Sequence, residues 1–273
     1  RIGFETDRAR LGGLVGGSPS AEVWSVGLSP AGTAGAWRRE ADLPAPRESH
    51  ALVADSGRLY AVGGFDGSAK APVFSADLAA DGSIAAWRSE ASLPAARSRL
   101  AAVSHGGWLY ALGGDNGVVG QASVYRAPMG VDGLVGAWWA ATSLPAARNS
   151  HAAAVSGGRV YVAGGLGAGV EADVWSAALA GATVGPWQAQ SPLPVPFFRH
   201  TLTASGGALL SVGGHDGNAA VAHVRSAPLG TGGDVGVWVE LGAVPLVRFG
   251  HGAAAEAGNL FLPPWSRRLW DFQ

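Results

Sequence analysis

Two columns of chemically capable side chains recur down this 273-residue chain. Arginines stand at Arg47, Arg97, Arg148 and Arg248, with Arg1 in a comparable place and Phe197 interrupting the series. Three residues after each comes a second column, His50, His151, His200 and His251, broken by Leu100. Guanidinium groups grip carboxylates and phosphates bidentately, so arginines converging on one mouth would form a shallow positive funnel for an anion. The competing role for both columns is structural, each side chain binding backbone carbonyls between repeats. Repetition itself favours that role, because a specific ligand site needs residues that differ from repeat to repeat.

The segments that do differ are four loops: FDGSAK (65–70), DNGVVGQ (115–121), LGAGVEA (166–172) and HDGNAAVA (215–222). They offer Asp66, Asp115, Asn116, His215 and Asp216 for specific contacts. Asp-Gly and Asn-Gly are also favoured turn dipeptides, which is the plainer explanation of the same residues. Histidines and carboxylates are not clustered at ligand spacing, so no metal is expected. The chain has no cysteine, which removes thiol catalysis, disulfides and cysteine-held metals together. No cofactor is implied. No Ser-His-Asp set or carboxylate pair can be singled out, and Glu48, which occurs in one repeat only, is the single oddity.

These residues ride on a long repeat. LPAPRESHALVADSGRLYAVGG (43–64) returns at 93–114 and 144–165, more weakly at 193–214, and in decayed form at 244–264. A period near fifty with a Gly-Gly signature divides the chain at 1–46, 47–96, 97–147, 148–196, 197–247 and 248–273, all in one domain. In the second repeat four runs read as antiparallel strands: SHALVA, RLYAV, PVFSADL and IAAWRSE. Ser-Gly, Gly-Gly and Asp-Gly punctuate them. Further columns align: Tyr60, Tyr110 and Tyr161; Val23, Val73, Val124, Val174 and Val224; Trp37, Trp87, Trp138, Trp187 and Trp238. The residue after each valine is large: Trp24, Phe74, Tyr125, Trp175, then Arg225. In the first repeat RIGFETD is expected as the first strand and LVGG (14–17) as the end of the second. The sixth lacks the closing Trp, and LWDFQ is its candidate third strand.

Composition agrees. Hydrophobic residues make up 48% and charged ones only 14%, with 43 glycines, which suits a buried body with many tight turns rather than helices. A net charge of −1 gives no footprint for nucleic acid. No apolar run is long enough for a membrane-spanning helix, so no membrane insertion is expected. The first residue is Arg and no signal-peptide pattern follows, so a processed product or a fragment is expected and the compartment stays open.

The Gly pairs after an apolar strand, the strand-two tyrosines, the tryptophans spaced about fifty apart and the polar loops together resemble the kelch-repeat β-propeller family. The resemblance implies an all-β propeller of four-stranded blades, the first strand lining a central channel. Six blades with the last incomplete are expected; five blades and a surplus C-terminal segment are the alternative. It also implies a binding face that carries the arginine column and the loops after the Gly pairs. The expectation is a monomeric, non-enzymatic scaffold for a protein segment or an anionic glycan. Kelch-type copper oxidases need a cysteine-linked tyrosine and are ruled out. An enzyme of the sialic acid mutarotase type, or a segment of a larger surface protein, are the other readings.

Overall fold

The computed structural model describes residues 9–28, 34–252, 254–256 and 259–261. The strands expected at RIGFETD and LWDFQ lie outside these residues. No helix occurs among them; every regular element is a strand in an antiparallel pair.

The second repeat shows how sequence makes the sheet. Ala51–Asp55 turns at Ser56-Gly57 into Arg58–Val62, with φ of 49° and 78° at the two turn residues. Two consecutive positive φ values are what a two-residue hairpin needs to match strand twist. The chain bends back at Gly63-Gly64 into Val73–Leu78, and Ile84–Ser89 completes a four-stranded sheet. Residues 58–62 are buried throughout, as befits a strand covered on both faces. The third and fifth repeats build the same order, with shorter fourth strands at Trp139–Ala141 and Val239–Ala243. The fourth repeat ends in Gln188–Gln190. The sixth is described only as the hairpin Ala254–Glu256 with Asn259–Phe261.

One expectation needs correcting. In the first repeat the second strand is Ala9–Leu11, and the Gly pair after it is Gly12-Gly13, not Gly16-Gly17. Gly16-Gly17 instead forms the turn of a small hairpin, Leu14–Val15 with Ser18–Pro19, which occupies the loop position. The hydrogen bonds decide the register. The second glycine of each pair donates to a carbonyl of the next repeat: Gly13 to Arg47, Gly64 to Arg97, Gly114 to Arg148, Gly165 to Phe197 and Gly214 to Arg248, at 2.7–2.9 Å. A Cβ on Gly63 would sit 2.5 Å from the Arg97 carbonyl oxygen. The pair is glycine because two repeats' backbones meet there.

Apolar clusters lie between successive sheets rather than within one. Tyr60, Val62 and Val73 pack on Leu109 and Trp138. Tyr110 and Val124 pack on Val160 and Val184, and Tyr161 and Val174 on Leu209 and Trp238. Each sheet is therefore stacked in chain order on the next, with the first strands of neighbours adjoining, in a propeller-like array. Two polar clasps tie the stack. Tyr60, Tyr110 and Tyr161 donate their hydroxyls to the carbonyls of Gly133, Gly181 and Gly233 one repeat on. Trp87, Trp138, Trp187 and Trp238 donate their indole N–H to Ala41, Ala91, Thr142 and Ser191 one repeat back. The tryptophans are not uniformly buried: Trp238 is 6% exposed but Trp37 is 41%. Leu210 takes the tyrosine position in the fifth repeat and has no hydroxyl to give.

Candidate functional site

The arginine column lies inside the sheets. Arg47, Arg97 and Arg148 are 1%, 4% and 1% exposed, so they do not line an open funnel. Arg47 donates to the carbonyls of Gly63 and Pro72, and Arg148 to that of Gly164. Arg97 donates to the Ala96 carbonyl and the Ser123 hydroxyl. Each guanidinium also lies over the large residue that follows the strand-three valine: Arg47 on Phe74 at 4.3 Å, Arg97 on Tyr125 at 5.4 Å, Arg148 on Trp175 at 3.8 Å. A desolvated cation–π pair is worth about 2 kcal/mol. Burial pushes the Arg47 guanidinium down to about 10, with the Asp66 carboxylate opposing.

The fifth repeat explains both of its departures at once. Phe197 holds the arginine position and Arg225 the aromatic one, and the Arg225 guanidinium lies 4.8 Å from the Phe197 ring centroid. The pair is transposed, not lost. Arg225 is also anchored by Glu240 at 3.1 Å. In the sixth repeat Arg248 donates to the Leu246 carbonyl.

The histidine column is wedged between repeats. The Cε1 edges of His151, His200 and His251 lie 2.7–2.9 Å from where a Cβ would stand on Gly113, Gly164 and Gly213, and His50 meets Gly12 in the same way. Nδ1 of His50 and both ring nitrogens of the other three make no hydrogen bond among the described residues. Burial pushes these imidazoles down to about 4 in His50 and His200 and about 3 in His151 and His251. They are neutral spacers. Leu100 fills the same wedge in the third repeat, its side chain 3.3 Å from the Gly63 Cβ position.

The loop candidates mostly shape their own loops. Asn116 accepts from the amides of Val118 and Val119, and Asp216 from those of Asn218 and Ala219. Asp66 pairs with Lys70 at 2.6 Å. Asp115 does more. It is 3% exposed and accepts from the Ser98 hydroxyl at 2.7 Å and from Arg99 Nη1 at 2.9 Å. His215 accepts the Gly217 amide on Nδ1 and stands between the rings of Phe198 and Phe249.

Between the two columns lies a third series that the sequence did not single out as a group. Ser49, Arg99, Ser150, Arg199 and Gly250 all have positive φ, from 51° to 63°. Arg99 donates its amide to Ser49, Ser150 to Arg99, Arg199 to Ser150 and Gly250 to Arg199, at 2.7–2.8 Å. This staircase of amides runs from one repeat to the next just ahead of the first strands. It holds two arginines in a backbone conformation that costs a non-glycine residue about 1 kcal/mol or more. Burial lowers the Arg199 guanidinium pKa, with the Arg99 charge adding to the effect and Glu48 opposing it. The Arg199 guanidinium makes no hydrogen bond or ion pair with a described residue; its ring contact is Phe249 at 5.8 Å. The signal in the sequence is that this column alternates Ser, Arg, Ser, Arg, Gly, whereas the histidine column after it largely repeats.

No family model matches the chain, and no curated protein matches it. Among solved structures the chain is similar to YjhT, with a TM-score of 0.70 over 92% of this chain and 85% of that one. The two share a fold. At 14% identity the likeness extends to the fold alone. No group of three or more histidines and carboxylates able to hold a metal occurs among the described residues. The geometry thus separates a buried arginine set, engaged with carbonyls and rings, from a second set, Arg99 and Arg199, at the start of the first strands.

Proposed function

We propose that the chain is a kelch-type β-propeller of six repeats that acts as a non-enzymatic binding scaffold. It holds a protein segment or an anionic glycan on the face formed by the loops after the Gly pairs. The observation that carries this reading is Arg199, a guanidinium without a described hydrogen-bond partner, beside Arg99 and within reach of the Glu48 charge. A partly desolvated arginine with free donors gains most from a bidentate anion. Arg99, already held by Asp115, supplies a fixed second charge. The buried column Arg47, Arg97, Arg148 is assigned to holding the sheets, and the ligand to the residues two positions on.

Arg199→Ala should weaken binding of an acidic peptide or acidic oligosaccharide at least tenfold, measured by calorimetry, while moving the melting temperature by no more than a degree or two. Unchanged affinity removes Arg199 from the site. Glu48 supports a second reading, an enzyme of the sialic acid mutarotase type, because it sets a proton-transfer group opposite a carboxylate holder. Anomeric exchange of acidic sugars followed by NMR separates the two; no acceleration by the protein leaves the scaffold.

A further inference from the structure

The residue after the arginine column changes character around the array. It is Glu48, Ser98 and Asn149 in the second to fourth repeats, then Phe198 and Phe249 in the fifth and sixth. His215 lies with these two aromatics, its ring centroid 5.1 Å from Phe198 and 5.5 Å from Phe249, edge-on to the latter. The equivalent loop position is Phe65, Asp115 or Leu166 in the second to fourth repeats, so among the described residues the three-ring cluster occurs in one place. Phe198, His215 and Phe249 are each half-buried, and Arg199 stands against Phe249. The Gly217 amide donates to Nδ1 of His215, which fixes the neutral tautomer with its hydrogen on Nε2. The side chains of the cluster offer flat apolar surface beside the Arg199 guanidinium. Glu48 is the acceptor within reach of the Arg199 charge.

We propose that this cluster is an aromatic subsite: it takes an aromatic side chain of a bound protein segment whose neighbouring carboxylate lies on Arg199. The inference rests on the binding reading above and narrows it to one ligand class. An aromatic side chain packs on the edges and faces of other rings at about 4.5–7 Å, which is what this cluster presents. Arginine beside packed aromatics is also the composition of a binding hot spot.

The test uses the full chain and three probes: end-blocked Glu-Trp-Glu, end-blocked Glu-Ala-Glu and trigalacturonate. Binding is read by calorimetry, and each variant's melting temperature is taken beside it. The expected result is that Glu-Trp-Glu binds at least tenfold more tightly than either other probe. Phe249→Leu and Phe198→Leu, which keep bulk and folding, should each erase most of that preference, and Arg199→Ala should weaken both peptides. Equal affinity for the two peptides overturns the aromatic subsite and leaves the anion site standing. Tighter binding of trigalacturonate also overturns it, in favour of a glycan. No binding of any of the three overturns the binding reading together with this one.

Discussion

Exchanging Phe197 and Arg225 for one another should be far less damaging than either substitution alone. Phe197→Arg by itself sets two guanidiniums about 5 Å apart in a site where both positions are under 10% exposed, and should cost about 3 kcal/mol or more. Arg225→Phe by itself leaves Glu240 with His223 as its remaining partner and removes the cation–π pair, for about 1–2 kcal/mol. The double variant recreates the order of the second and fourth repeats, where Arg47 lies on Phe74 and Arg148 on Trp175. It should recover about 2 kcal/mol relative to the sum of the singles, a coupling that urea denaturation of all four proteins measures directly. Additive effects would mean that the two positions do not sense each other. The same logic makes Arg148→Ala costly: it frees the Gly164 carbonyl and uncovers Trp175, for about 3 kcal/mol, or roughly 6–12 °C in a domain of this size.

Acid is the second strong lever. His50, His151, His200 and His251 protonate near pH 6.5 in the unfolded chain but only near pH 3–4 when wedged between repeats. Below pH 6.5 the unfolded chain therefore binds more protons than the folded one, and stability falls as pH falls. The contribution is complete above pH 6.5 and is lost progressively down to about pH 3–4. At pH 5 the loss is about 2 kcal/mol per histidine, and the sum is comparable with the whole stability of a typical domain. The carboxylates with lowered pKa values, Glu40, Asp66, Asp81, Asp216 and Glu240, also favour the folded state above their titration, but they act lower, below their ordinary range near pH 4. The two windows separate. His151→Leu combined with His200→Leu copies what Leu100 already does, and should flatten the fall in stability between pH 6.5 and 5 by about half. A wild-type stability that does not change across that interval would contradict the burial of these rings.

Most of the strand plan could be read from the chain. Alternating runs, hairpin Ser-Gly and Gly-Gly turns and the valine column all point to their observed places; Val23 and Val73 are fully buried in the third strand. The first repeat misled because two Gly pairs lie four residues apart, and spacing alone cannot tell which one meets the Arg47 carbonyl. The arginines were legible as a column but not as to direction. A residue next to a strand start can face solvent or the sheet, and only packing on Phe74, Tyr125 and Trp175 shows which. The paired departure at Phe197 and Arg225 did carry that information, since a lost cation and a gained one fit a contact between the two columns. The positive φ at Arg99 and Arg199 left no mark, because neither residue favours that conformation.

The division of labour between the two arginine sets is tested most directly by measuring melting temperature and acidic-peptide affinity side by side for Arg148→Ala and for Arg99→Ala with Arg199→Ala. The structure predicts that Arg148→Ala melts several degrees lower and, below its melting point, binds as the parent does. The paired variant should melt within about two degrees of the parent and lose binding. Loss of binding in Arg148→Ala with unchanged melting, or intact binding in the paired variant, would contradict the account.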